Sequence, residues 1–207
     1  MKKIILFAAT VLVVPSLVLS AYSFRAEKTY KVNASKSNFI VKVGTAGLLG
    51  GLGHNHTIKI TNFNGEAKVN PDALEQSSLT LNVETADMRV IDTDISDADR
   101  KEVQSTMLEK VLETGRFSTS SFRSTKVVGV QRNGNDAKLT LEGELNLHGI
   151  QKHISIPMTV SMNGKELRAR GEIGLKQTDY KIEPVSAGLG AVKVKDEVRL
   201  SFDIVAE

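Results

Sequence analysis

The 207-residue chain predicts an all-β fold with one inserted α-helix. Three observations carry that prediction. Apolar and polar residues alternate along run after run, tight-turn dipeptides separate several of the runs, and a single segment switches to helical spacing. Strands that each bury one face make an antiparallel sandwich or a closed barrel.

The alternation begins at Phe39, Val41 and Val43, and returns in the strand of Ile58 and Ile60 and at Leu79, Leu81 and Val83. Phe122, Val128 and Val130 mark the next run. In LTLEGELNLH, Leu139, Leu141, Gly143, Leu145 and Leu147 share one face, and HISIPMTVSM repeats the pattern with Ile154, Ile156, Met158, Val160 and Met162. The four residues GIQK between these two runs suit a hairpin connection. Asn163-Gly164 then turns the chain into ELRARGEIGLK, where Leu167, Ala169, Gly171, Ile173 and Leu175 alternate with charged residues. Asn133-Gly134 is a further turn signal. The closing run carries Val198, Leu200, Phe202 and Ile204. About eight strands result.

The segment from about 97 to 113 has helical spacing. Val103, Met107 and Val111 form one stripe, with Leu108 and Leu112 beside it. Ser96 is placed as the N-cap, Asp97 and Asp99 lie in the first turn, and Gly115 follows the end. Such a helix is free to pack over one end of a barrel.

Residues 1–23 read as a signal peptide rather than as part of the fold. Lys2 and Lys3 precede an apolar run broken at Pro15 and Ser16, and Ser20, Ala21 and Ser23 suit cleavage. The run is too short and interrupted for a typical membrane span. A periplasmic or secreted protein is expected, with one domain over 28–207. The chain has no cysteine, which excludes disulfides, thiolate zinc sites and thiol catalysis. The formal charge is only +3, with no Trp and three Tyr, and no basic cluster is interleaved with aromatics. Nucleic acid is not an expected partner.

Candidate sites are few. Asp92, Asp94, Asp97 and Asp99 begin like a calcium loop, but that pattern needs Gly at 97 and Glu at 103, where the chain has Asp and Val. Acidic groups favoured by a helix N-terminus explain the cluster better. GTAGLLGGLG (44–53) has no following GK[ST] and reads as an apolar loop over a cavity mouth. If the strand of Ile58 and Ile60 runs back unbroken, His54 and His56 share its inward face, at the rim. There they are expected to meet a polar group of a ligand. The competing reading is a metal-binding protein or metal-dependent enzyme using His54 and His56, although a tight site wants a third or fourth ligand. His148 and His153 fall on polar strand faces and are expected to be exposed. No GxSxG motif or acid/base couple stands out, so neither catalysis nor a cofactor is expected.

FSTSSFRST (117–125), LEGELNLHGIQKHISIP (141–157) and QTDYKI (177–182) resemble the YceI-like family of secreted, lipocalin-like barrels that bind polyisoprenoid chains. The resemblance spans about Tyr30 to Glu207. It rests on Phe117, Phe122 and Ser124, on Gly143, Leu145, Gly149 and Lys152, and on Asp179, Tyr180 and Ile182. Ser118 and Ser120 replace a Pro and an Ile of the family pattern, Asn146 and Gln151 replace two Thr, and Gln177 and Lys181 replace an Arg and a Gly. The resemblance implies an antiparallel eight-stranded lipocalin-like β-barrel around a long isoprenoid or other apolar lipid. A homodimer is in keeping with it.

Such a barrel holds its own side chains or one small ligand. Small inward residues (Gly65, Ala67, Gly143, Ala169, Gly171) and the presence of only seven Phe are compatible with an open tunnel; a barrel plugged by its own Leu and Ile is the alternative, and the sequence does not choose between them. The expected lining is Phe39, Val41, Ile58, Ile60, Leu81, Val83, Phe122, Leu141, Leu145, Ile156, Met158, Val160, Leu167, Ile173, Leu200 and Phe202, with His54 and His56 at the mouth. N-terminal sequencing of the exported protein should begin just after Ser20, Ala21 or Ser23. Recovery of the intact Met1 start would show an uncleaved anchor instead.

Overall fold

The computed structural model describes residues 26–47, 54–187 and 192–207. The expected leader and residues 48–53 of the glycine loop lie outside the described residues. Among the described residues, twelve strands form one antiparallel sheet. In chain order they are β1 (Lys28–Lys31), β2 (Asn38–Ala46), β3 (His56–Ile60), β4 (Phe63–Val69), β5 (Ser78–Glu84) and β6 (Met88–Val90), then β7 (Thr119–Asn133), β8 (Asp136–Leu147), β9 (Ile150–Asn163), β10 (Glu166–Lys176), β11 (Ser186–Ala187) and β12 (Val192–Ala206). The hydrogen-bonded order is β1-β4-β5-β7-β8-β9-β10-β12-β2-β3-β6, with β11 attached to β12.

This path has eleven strands where eight were expected. The eight alternating runs are β2, β3, β5, β7, β8, β9, β10 and β12. The others lack the signal: β1 buries only Tyr30, β4 is interrupted by Gly65 and β6 spans three residues.

The longest strands, β7 and β12, have 15 residues each, well beyond the usual ~5–6. Twist accumulated over such lengths coils the sheet onto itself. The chain leaving β1 shows the curl. Lys31 and Glu207 exchange two backbone hydrogen bonds of 2.7 and 2.9 Å, and Val32 bridges to Ala206. β1 therefore touches both β4 and the end of β12, while two residues join β3 to β4 on the other side. Register puts Leu139, Leu141 and Gly143 opposite Met158, Ile156 and Ile154, so their apolar faces share the concave side.

The β8–β9 turn is His148-Gly149, not GIQK. Its two residues have φ of 52° and 73°, the type I′ geometry whose twist matches the flanking strands. At the two Asn-Gly sites the Asn ends its strand and glycine takes the first loop position, with φ of 60° at Gly134 and 62° at Gly164.

The helix α1 (Asp97–Thr106) is capped by Ser96, whose side chain accepts the Asp99 N–H. It continues as a π-helical turn over Met107–Val111. Glu113, rather than Gly115, supplies the left-handed residue at the end, with φ of 44°. The wider turn brings Met107, Val111 and Leu112 to the inner side of the sheet together with Val103.

On β10 and β12, Arg168 binds Asp203 with two hydrogen bonds of 2.6 and 2.7 Å, and Arg170 adds one of 3.1 Å. The Arg168 hydrogen bonds, reinforced by Arg170 and partly opposed by desolvation, hold the Asp203 carboxyl below its usual range. The stabilisation is therefore full above about pH 4, the unfolded value, and is lost as pH falls through the lowered native value. Asp203→Asn should flatten the acid side of the stability curve, measured by urea unfolding at several pH values. An unchanged acid slope would show that the triad contributes nothing.

Candidate functional site

The concave face encloses a cavity of about 550 Å3. Its wall is built from alternate positions of the strands. β2 contributes Phe39 and Val41; β3 contributes His56, Ile58 and Ile60; β5 contributes Leu81 and Val83; β7 contributes Phe122. Leu141 and Leu145 of β8, Ile156, Met158 and Val160 of β9, Leu167 and Ile173 of β10, and Leu200 and Phe202 of β12 complete it. Every apolar residue expected at the lining is thus at the wall. His54 is not: it precedes the first residue of β3, is exposed and does not line the cavity. The unbroken strand that would have aimed both histidines inward starts only at His56.

Several lining residues carried no clear period-two signal. Val69 and Leu74 lie in and just after the short β4, and Val103, Met107, Val111 and Leu112 come from the helical segment. Amphipathicity marked the helical stripe as buried, but not what it covers.

The small inward residues act differently from expectation. A Cβ on Gly143 would stand 2.6 Å from the Phe122 ring and 2.4 Å from the Arg123 carbonyl oxygen; one on Gly171 would stand 2.6 Å from both the Phe202 ring and the Pro157 carbonyl oxygen. These glycines do not open a tunnel directly. Each leaves room for a cross-strand phenyl ring, Phe122 or Phe202, to pack over its backbone at the cavity wall. Phe39 packs edge-on against Phe63 and Phe202, with centroids 5.7 and 6.4 Å apart, a favoured geometry.

The polar groups at this wall are specific. His56 Nδ1 lies 2.7 Å from Asp92 Oδ2, and Thr57 donates its N–H to Asp92 Oδ1 at 2.6 Å. Arg100 donates to the Asp92 main-chain oxygen. Asp92 is 5% exposed, so it is not a solvated helix-terminal acid as the sequence pattern implied. It is the partner of His56. Asp99 and Glu102 of α1, with Lys176, are the charged residues at the cavity wall. No group of three His, Asp or Glu side chains able to hold a metal occurs among the described residues.

His148 is also placed differently from expectation. It is 8% exposed, with its ring 4.1 Å from that of Phe117 and Nδ1 3.2 Å from the Tyr180 carbonyl oxygen. Glu113 Oε2 lies 3.0 Å from Nε2, a close contact without hydrogen-bond angles. The positive φ of the I′ turn swings this side chain off the strand pattern and under the end of the helical segment. His153 is exposed as expected and pairs with Glu144 at 3.0 Å.

Ser120 occupies a position where an aliphatic residue would suit the wall. Its hydroxyl oxygen is buried without a hydrogen-bond partner, at the cavity and opposite Val83 of β5. An unpartnered buried hydroxyl costs about 1–3 kcal/mol. Ser120→Ala should therefore raise stability in urea by about 1 kcal/mol. A loss of similar size would show that the hydroxyl is paired.

The model of the YceI-like domain matches residues 30–206. A search of the curated proteins finds no match. Among solved structures, Burkholderia cenocepacia BcnA is similar at 19% identity and a TM-score of 0.65, with 85% of this chain and 99% of that chain covered. A polyisoprenoid binding domain from Saccharophagus degradans, implicated in plant cell wall breakdown, is similar at 15% identity and a TM-score of 0.61, covering 86% and 97%. The Campylobacter jejuni YCEI protein is similar at 13% identity and a TM-score of 0.53, covering 72% and 84%. At these identities the structures share the fold. A curled antiparallel sheet around an apolar cavity, matched to the family over nearly all its described length, assigns this chain to the YceI-like family.

Proposed function

We propose that this protein is an exported carrier that sequesters one long apolar lipid, of isoprenoid type, inside its curled sheet. The cavity carries the reading. Its size of about 550 Å3 falls within the ~300–1,000 Å3 typical of ligand sites, and its wall is overwhelmingly aliphatic and aromatic. Each tail methylene withdrawn from water into such a wall contributes about 0.8 kcal/mol, before the losses of association. A chain of repeated branched units offers that gain many times with little polar surface. The neighbour described as a polyisoprenoid binding domain supports the same ligand class.

The function is binding rather than turnover, in line with a family known by its fold and its polyisoprenoid-binding member. Lys2, Lys3, the apolar run after them and the small residues at 20–23 support export to the periplasm or beyond.

Native mass spectrometry of the protein from its own host, followed by solvent extraction, should show an adduct that moves into the organic phase. Leu145 faces the cavity from mid-β8, so Leu145→Trp should remove the adduct while the circular dichroism spectrum stays that of a β protein. A folded Leu145→Trp protein with undiminished adduct would overturn the reading.

A further inference from the structure

We propose that the apolar ligand enters and leaves the cavity sideways, through a slot between β9 and β10, rather than through an end of the curled sheet. The inference rests on the lipid-carrier reading and adds the route of exchange.

β9 and β10 pair only from Asn163 and Glu166 to Met158 and Gly171. Past that point each strand keeps its other neighbour. β9 stays paired with β8 down to Ile150, and β10 stays paired with β12 as far as Lys176. The facing edges of Ile150–Pro157 and Glu172–Lys176 have no strand partner among the described residues. Pro157 begins the break. Its carbonyl oxygen lies toward β10, 2.6 Å from where a Cβ on Gly171 would stand, and a strand residue points its N–H and C=O to the same side. The N–H that proline lacks is therefore one that the β10 ladder needed. A single proline removes only the pairs that use its N–H, yet pairing does not resume at Ser155 and Gly174. The two strands stay parted.

The slot is closed at both ends. The Met158–Gly171 pair closes one. At the other, Lys152 Nζ meets Asp179 Oδ1 at 3.0 Å, and His148 Nδ1 lies 3.2 Å from the Tyr180 carbonyl oxygen. Its sides are apolar. Ile154 and Ile156 of β9 and Ile173 and Leu175 of β10 belong to the cavity wall, and all four are half-buried. Where the same strands are paired, Val160 and Leu167 are buried. A long apolar chain laid along such a slot exchanges water for aliphatic contacts as it enters, and no strand ladder has to break to admit it. Both partners of the Lys152–Asp179 pair are half-exposed, so the pair is a weak tether that opening can spare.

The chain has no cysteine, so an introduced pair of thiols is unique. Extending the Met158–Gly171 register by three residues sets Ser155 opposite Gly174, both exposed and neither at the cavity wall. A Cβ on Gly174 would meet the Glu197 carboxylate at 3.0 Å, the flexible end of a side chain. The Ser155→Cys, Gly174→Cys protein, stripped of lipid and bridged with a short bis-methanethiosulfonate, is mixed with retinol, an isoprenoid whose fluorescence rises in an apolar site. Uptake and release should both slow about tenfold with affinity unchanged, because a blocked route alters both rates alike. Dithiothreitol should restore them. The same bridge between Lys138→Cys and Thr159→Cys, positions already paired on β8 and β9, should leave both rates as they were. Asp179→Ala should speed exchange up to about fivefold, the effect of one exposed ion pair. Unchanged rates across the bridged slot, or equal slowing by the β8–β9 bridge, would overturn the slot and leave the carrier standing. No uptake of retinol by the folded, unbridged protein would remove the carrier reading, and the slot with it.

Discussion

Each long strand in this chain has one apolar face, and among the described residues there is no second sheet to cover it. Burial must come from the sheet itself. With 11 to 15 residues in each of β7, β8, β9, β10 and β12, right-handed twist accumulates until the concave faces look at one another. The chain has no cysteine, so this curl is held by apolar burial, by the strand ladders, and by the pairing of Lys31 with Glu207 near its seam. The cavity follows from the same constraint. Buried side chains of the inner face pack into two apolar clusters, with a cavity of about 550 Å3 between the walls, and the Phe122 and Phe202 rings lie over Gly143 and Gly171.

An empty apolar space lacks the close contacts that stabilise a packed core. A hydrophobic chain filling it restores those contacts, so occupancy and stability are coupled: a ligand that binds only the folded state stabilises it by mass action. The helical segment contributes to the same end. Its π-helical turn aims Met107, Val111 and Leu112 into the interior, closing part of the apolar surface that the strands leave open.

The polar groups divide by task. His148 is a fastening. Pressed on Phe117 beside Glu113 and Tyr180, it ties the β8–β9 turn to the end of the helical segment and to the loop after β10. Lys181 lies one residue beyond Tyr180 and has φ of 57°. It holds a left-handed conformation at a position where the family pattern has glycine, an arrangement that costs an ordinary side chain about 1–2 kcal/mol. His56 is different in kind, because it stands at the cavity wall and is paired through Nδ1 with the buried Asp92 carboxylate.

The alternation of apolar and polar residues determined which face of each main strand turns inward, because side chains on a strand alternate strictly. That is why the aliphatic wall, from Phe39 through Leu145 to Phe202, was legible without coordinates. The N-cap at Ser96 was equally local. Pairing was not. Asp92 lies 36 residues from His56, and the acidic run around it matched a helix N-terminus just as well, so only the β3–β6 neighbourhood in three dimensions brought the two together. His54 lost its place because a strand's starting residue depends on hydrogen bonds to its neighbours, which alternation does not encode. His148 became buried because a two-residue I′ turn reverses the direction in which its side chain points. Periodicity is a property of one strand and can be read from one strand. Register, turn geometry and the meeting of a buried acid with an imidazole are properties of pairs of segments, and only the folded sheet decides them.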